Sequence, residues 1–267
     1  MGSLVSMALA DSYDAFLCDL DGVIWLGHEF LPGAVETIVE LNSQGKKVCF
    51  VTNNPRLAPA RQADLLRKGG IEIGDDQVVT AASTLIKLAI ERHGEGAPVL
   101  GIGTPAFLEG LEEAGFQMLP REDSASAKAV LVSGHRGFDY EELRVTSMLV
   151  RAGADLIATS ADPTMPMPDG LWPGSGAILA AIETASGGKA TTTGKPAPAL
   201  FEAGLDVLGR PPRVAMIGDR VDTDIAGAQA CGIEGIIVTS SPNYENDLKA
   251  SATVPDHTIR DLTDLLA

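Results

Sequence analysis

Ala15-Phe16-Leu17-Cys18-Asp19-Leu20-Asp21-Gly22 is the stretch that decides the fold. A short apolar run ends on two carboxylates two residues apart and then a glycine. Such a run, closed by a turn signal, reads as a buried strand. Ligands of open α/β sheets sit at the carboxyl ends of strands, and both Asp19 and Asp21 fall just there. A polar turn that simply ends a strand is the plain alternative.

The same grammar runs outward from this segment. Lys47–Thr52, Gln77–Thr80, Pro98–Ile102, Ala129–Ser133, Leu156–Thr159, Val214–Ile217 and Gly235–Thr239 read as further strands. Between them lie helices: a periodic run from Ala34 to Gly45, then Pro59–Lys68, Thr84–His93, Pro105 to Gly115 with Thr104 as cap, and Asp139 to Ala152 with an Asp139/Glu142 capping box. Ser175–Thr184, Ala199–Leu208, Thr223–Ala230 and Asp261–Leu265 complete the set. Strand–helix alternation of this kind predicts parallel sheets covered by helices.

Composition narrows the function. With 20 Lys and Arg against 36 Asp and Glu, the net charge is −16 over 267 residues. That balance argues against nucleic acid and anionic membranes as partners, since both need a basic face. A hydrophobic fraction of 45 % excludes a disordered chain. Apolar runs stay short of a membrane span, and Met1–Ala10 lacks the basic start of a signal peptide, while Met7 offers an alternative start that leaves Met1–Ser6 open. Cys18, Cys49 and Cys231 are odd in number and far apart, so a reducing cytoplasm is expected over a disulfide framework. The four histidines show no metal-ligand spacing.

Three more signals sit at strand ends or helix starts. Thr52-Asn53-Asn54 supplies a hydroxyl, amides and backbone N–H groups that suit an anion, although Asn is common in loops. Gly194-Lys195-Pro196 puts a cation beside a helix N-terminus, though surface lysines are ordinary. It is no Walker loop, because Pro196 stands where Ser or Thr is required. Gly218-Asp219, with Asp222 and Asp224, clusters acids that suit a hard divalent cation or merely decorate a helix start.

In this order the four motifs resemble those of the haloacid dehalogenase (HAD) superfamily across nearly the whole chain. The resemblance implies a role for each residue. Asp19 would be the nucleophile that forms an aspartyl-phosphate, and Asp21 the general acid and then base. Thr52, Asn53 and Asn54 would bind the phosphoryl group, and Lys195 would neutralise Asp19 and that group. Asp219 would ligate Mg²⁺ with Asp19 and the backbone carbonyl of Asp21, while Asp224 completes the metal shell. Superfamily ATPases generally carry Thr at the second Asp position, and dehalogenases lack that acid, so Asp21 favours a phosphatase or phosphomutase.

Spacing locates an insert. Asp21 to Thr52 leaves room only for a short flap, Val23–Phe30, whereas Thr52 to Lys195 leaves roughly 100 residues beyond the core elements. This is similar to the class IIA, 4-nitrophenylphosphatase-like branch with a C2-type cap. The expected fold is α/β: a Rossmann-like HAD core with a parallel sheet, residues 1–82 and 185–267, plus an inserted α/β cap at 83–184. In that branch the loop Asp162–Gly170 faces the substrate, and Met165 becomes a candidate contact. Met165 and Met167 line an apolar pocket on this reading or simply pack the cap. Thr164 and Met165 replace the Trp and His expected of vitamin B6 phosphatases, and Thr159-Ser160-Ala161-Asp162 departs from the usual Thr-Asn-x-Asp. His135-Arg136 stands where the branch often has Asp-Arg, and is either a substrate contact or an ordinary loop.

The expected function is Mg²⁺-dependent hydrolysis of small phosphate monoesters: polyol or organic-acid phosphates first, then nucleotide, with sugar phosphates within range and pyridoxal phosphate last. A phosphomutase or phosphotransferase, and a non-catalytic phosphometabolite-binding protein, are the rival readings. A homodimer stays open. The absence of a Gly-x-Ser-x-Gly elbow and of a GxGxxG after the first strand speaks against a serine hydrolase and a dinucleotide enzyme.

Overall fold

The computed structural model describes residues 7–27, 29–54, 58–167, 170–240, 244 and 251–267, with backbone alone at 166 and 167. The expectations for Met1–Ser6, for His28 of the flap, for the Met167 side chain and for residues 168 and 169 of the Asp162–Gly170 loop lie outside the described residues. The chain divides into two compact units. One comprises Met1–Thr52, Pro59–Val79 and Lys195–Ala267; the other comprises Asn53–Ala58 and Thr80–Gly194.

The first unit opens with β1 (Ala15–Cys18), a small antiparallel hairpin of β2 (Trp25–Leu26) and β3 (Glu29–Phe30), α1 (Ala34–Ser43), β4 (Lys47–Thr52), α2 (Pro59–Lys68) and β5 (Val78–Thr80). The second unit follows with α3 (Ala81–His93), β6 (Pro98–Ile102), α4 (Pro105–Glu113), β7 (Gln117–Met118), β8 (Ala129–Val132), α5 (Tyr140–Arg151) and β9 (Asp155–Ala158). A second hairpin of β10 (Thr164–Met167) and β11 (Gly170–Pro173), then α6 (Ser175–Ser186) and β12 (Thr191–Thr192), complete it. The chain returns to the first unit with α7 (Pro198–Leu208), β13 (Val214–Gly218), a π-type turn at Val221–Ile225, α8 (Ala226–Ala230), β14 (Glu234–Val238), β15 (His257–Ile259) and a final 3-10 turn.

In the first unit the sheet order is β15-β14-β13-β1-β4-β5, and β15 through β4 run parallel. β1 is central and wholly buried, which explains its unbroken apolar run. Its side chains alternate between two layers. Phe16 and Cys18 join Ile38 and Leu41 of α1, while Ala15 and Leu17 join Leu200 and Phe201 of α7. Each large side chain buried this way contributes about 1.5–3 kcal/mol.

The second unit repeats the plan. Its sheet has the order β12-β9-β8-β6-β7, with parallel neighbours throughout. Val99 and Leu131 pack on Leu85 of α3 and Phe107 of α4; Val130 and Val132 pack on Leu149 of α5 and Leu179 of α6. The predicted caps form as hydrogen bonds: Thr104 accepts from the Phe107 N–H, and Asp139 from the Glu142 N–H.

Three local features differ from the sequence reading. The second unit extends over residues 80–194 where 83–184 was expected. Thr80 already caps α3, and β12 pairs with β9 in the second sheet. The loop Asp162–Gly170 is partly strand, since β10 pairs with β11. The helix expected from Thr223 begins only at Ala226, because Val221–Ile225 takes a wider turn in which the Ile225 N–H reaches the Arg220 carbonyl and the Ala226 N–H the Val221 carbonyl. No described helix is long and apolar enough to cross a membrane.

Candidate active site

The ladder between β1 and β13 continues one residue past β1. Asp19 N–H donates to the Ile217 carbonyl at 2.9 Å, which sets Asp19 beside the carboxyl end of β13. The chain then turns tightly, with the Ile24 and Trp25 N–H groups both donating to the Leu20 carbonyl. Gly22 makes that turn at φ +90°, and an added Cβ would lie 2.2 Å from Asp219 Oδ2. Only glycine therefore admits both the backbone angle and the approach of Asp219.

Lys195, directly before Pro196 and the start of α7, is 3 % exposed. Its ammonium lies 2.8 Å from Asp19 Oδ1, 2.7 Å from Asp224 Oδ1 and 3.3 Å from the Val51 carbonyl of β4. Three partners suit the three donors of a lysine. The second oxygen of Asp224, Oδ2, accepts from the Asp219 and Arg220 N–H groups at 3.2 and 3.0 Å. Asp224 thus ties the loop after β13 to Lys195.

Carboxylate oxygens of Asp19, Asp219 and Asp224 all lie within 4.8 Å of one another, and all three residues are buried. Burial first, then Asp224 and Asp219, pushes the Asp19 carboxyl well above the usual carboxylate range, against the pull of Lys195. Burial pulls Lys195 down, yet Asp19 and Asp224 together hold it above the ordinary lysine value. Three carboxylates against one ammonium leave surplus negative charge away from water, which is costly unless a further cation joins. Hard oxygen donors at this spacing fit a divalent cation such as Mg²⁺ or Ca²⁺.

Asp21 is oriented from the flap. Its Oδ1 accepts from Trp25 Nε1 at 3.2 Å, and Trp25 packs edge-on to Phe30 with centroids 5.8 Å apart. Trp25, within the flap, is a buried residue whose indole N–H orients a carboxylate. Asp222 turns away to pair with Arg220 at 2.9 Å. Cys18 is a packing residue: burial holds its thiol well above the ordinary value, and its S–H donates to the Asp19 carbonyl. Thr52, the last residue of β4, is buried.

Asn53 and Asn54 begin the segment belonging to the second unit. There Asn53 Nδ2 donates to Asp162 Oδ2 at 3.2 Å. Met165 is half-buried and pairs across the hairpin with Trp172, over whose ring the Arg136 guanidinium sits at 4.4 Å. His135 Nδ1 accepts from Gly137 N–H, and its Nε2 faces Glu142 at 3.1 Å, so His135 and Arg136 brace their own unit. Sequence reasoning missed the Val51 carbonyl, the Trp25–Asp21 bond and the Asn53–Asp162 bond. Only Trp25, four residues after Asp21, left a readable signal.

Comparison with known proteins bears on this geometry. A model described as haloacid dehalogenase-like hydrolase matches residues 16–117, and a second HAD-like hydrolase model matches residues 192–265. The chain is 31 % identical over 256 residues to the acid sugar phosphatase of Staphylococcus epidermidis, covering 96 % of this chain and 97 % of the relative. The 4-nitrophenylphosphatase of Thermotoga maritima superimposes with a TM-score of 0.86 at 31 % identity, over 97 % of this chain and 98 % of that one. The glycerol phosphate phosphatase of Mycobacterium tuberculosis, solved in complex with magnesium, gives 0.85 at 32 % identity, over 97 % and 78 %. With a Rossmann-like core, an inserted α/β cap and relatives of this kind, the chain belongs to the haloacid dehalogenase-like hydrolases, in their class IIA, 4-nitrophenylphosphatase-like branch of phosphoric monoester hydrolases.

Proposed function

We propose that the chain is a Mg²⁺-dependent phosphatase of small phosphate monoesters, with polyol and sugar phosphates ahead of organic-acid and nucleotide esters, acting in a reducing cytoplasm. The observation that carries the reading is the Lys195 ammonium 2.8 Å from Asp19 inside a buried carboxylate cluster. The named activities of the sugar and glycerol phosphate phosphatase relatives support the substrate class. The free, unpaired state of Cys18, Cys49 and Cys231 supports the compartment.

In this reading Asp19 attacks phosphorus, the ester P–O bond breaks, and Asp21 gives its proton to the departing alkoxide. Asp19 then carries the phosphoryl group as an acyl phosphate. Asp21, now a carboxylate, takes a proton from water as the water oxygen attacks phosphorus, and the bond to Asp19 breaks to release orthophosphate. Lys195 pulls Asp19 toward its carboxylate form, against burial and the neighbouring acids, and orients it for attack. Thr52, Asn53 and Asn54 bind phosphoryl oxygens, and Met165 contacts the alcohol part of the ester. Asp19, Asp219, Asp224 and the backbone carbonyl of Asp21 would hold the cation, with Asp224 chiefly fixing the loop and Lys195. When bound, Mg²⁺ offsets the charge of carboxylates and phosphate together.

The test is phosphate release from a panel of monoesters, with Mg²⁺ and with EDTA, for wild type and Asp19→Asn. Metal-dependent release that vanishes in a folded Asp19→Asn is expected. Residual turnover above about 5 % of wild type would refute the nucleophile assignment. No release from any ester would move the weight to a phosphomutase or a phosphometabolite-binding protein.

A further inference from the structure

Asn53 carries an amide whose two ends differ chemically, so its use depends on which way it is turned. Within the second unit each end has a neighbour. Nδ2 donates to Asp162 Oδ2 at 3.2 Å, and Oδ1 lies against Gly194, 2.5 Å from where a Cβ there would sit. A flipped amide would set a carbonyl oxygen against the Asp162 carboxylate, which repels it.

Asp162 is itself rigidly mounted. Its N–H donates to Ser160 Oγ at 2.9 Å, and its carbonyl accepts from the Gly176 N–H at 2.9 Å. Gly176 lies in the first turn of α6, and a Cβ on it would strike the Ala161 carbonyl oxygen at 2.2 Å. Ser160 is buried, and α6 is anchored in the core of its unit by Leu179 and Ile182. A charged acceptor on a fixed backbone makes a stronger and more directional bond than a neutral one.

We propose that Asp162 is a positioning residue, which fixes the rotamer and amide orientation of Asn53 from 109 residues away in sequence. The inference rests on the phosphatase reading, in which Asn53 binds a phosphoryl oxygen. It assigns Asp162 a task separate from contact with the substrate's alcohol.

The test uses the full chain, p-nitrophenyl phosphate as substrate and Mg²⁺, with Asp162→Ala, Asp162→Asn, Asn53→Ala and the double alanine variant. Asp162→Ala and Asn53→Ala should each lower kcat/KM about 10- to 100-fold, the loss typical of a misplaced binding group. The double variant should lose no more than the worse single one, because one removed interaction cannot be lost twice. Asp162→Asn keeps an acceptor oxygen and should recover most of the loss. A second readout is independent of turnover: the side-chain amide resonance of Asn53, identified by its disappearance in Asn53→Ala, should shift in Asp162→Ala while backbone resonances of α6 stay in place. Additive losses, or an unmoved Asn53 resonance, overturn the positioning role. A folded wild type that releases no phosphate overturns the phosphatase reading instead, and the two failures are thereby told apart.

Discussion

Gly22→Ala tests whether the carboxylate cluster is held by backbone geometry. Two costs follow from the structure. The first is conformational: Gly22 sits at φ +90°, and an L side chain in the left-handed region costs about 1–2 kcal/mol. The second is steric: the new Cβ would lie 2.2 Å from Asp219 Oδ2 and 2.6 Å from Asp219 Cγ. A carbon and an oxygen need about 1 Å more than that, so Asp219 must retreat, and overpacking of this kind costs about 1–3 kcal/mol. Gly45→Ala isolates the first cost, because Gly45 has φ +75° and nothing within 4 Å of an added Cβ. Gly45→Ala should lower Tm by about 2–8 °C, and Gly22→Ala by roughly twice as much. The rates should part company more sharply. Gly45→Ala should keep wild-type turnover, whereas a displacement of about 1 Å at Asp219 should cost about 100-fold. The assays are thermal melts and phosphate release from p-nitrophenyl phosphate with Mg²⁺. If both variants match in Tm and in rate, the approach of Asp219 to Gly22 has no bearing on the site.

Lys195→Met leaves three buried carboxylates without their ammonium. Losing one partner of a buried ion pair costs about 3–5 kcal/mol, so the melt should fall by about 10 °C and turnover should disappear; an unchanged melt would contradict the charge balance described here. Trp25→Phe keeps the ring packed on Phe30 but removes the donor to Asp21. It should slow turnover about tenfold with little change in Tm, and a wild-type rate would show that Asp21 needs no such support. Tyr13 is buried and donates to Glu234; burial, then that bond and the charges of Glu234 and Asp256, raise its hydroxyl above the ordinary tyrosine value. A raised folded value gives stability that is fully present below the unfolded value of about 10 and is lost as pH climbs above it. Tyr13→Phe should therefore flatten the alkaline fall of stability by about one proton's slope, as read by urea titration between pH 8 and 11, and an unchanged slope would refute the assignment.

The carboxylate–lysine cluster was legible because its residues sit at strand ends or a helix start, where local pattern marks them. Asp19 follows β1 and Asp219 follows β13, while Lys195 precedes α7; each position is marked by the apolar run or helix start beside it. What escaped depends on backbone pairing between distant segments. Thr191–Thr192 is too short and polar to read as a strand, yet its pairing with β9 extends the cap to Gly194. Thr164–Met167 carries a proline and reads as loop, but it forms an edge strand of a two-stranded hairpin, where a missing N–H is tolerated. The Val51 carbonyl has no sequence signature at all, since every residue offers one. Asp222 and Asp224 look equivalent as letters. The turn after β13 separates them, sending one to Arg220 at the surface and the other to Lys195 in the interior.

The pairing of β1 with β13 has a consequence for synthesis on the ribosome. The second unit's sheet is drawn from one stretch of chain, β6 through β12, and can be completed as it emerges. β1 is different, because one of its two neighbours lies about 200 residues downstream. At about 5–20 residues per second that edge waits roughly 10–40 s for its partner. During that interval Ala15–Cys18 is a nascent apolar strand with one open side, the kind of segment that chaperones recognise and that aggregation exploits. Asp19 and Lys195 meet Asp219 and Asp224 only once β13 and the turn after it have emerged, so the buried carboxylate cluster forms about 200 residues of synthesis after β1.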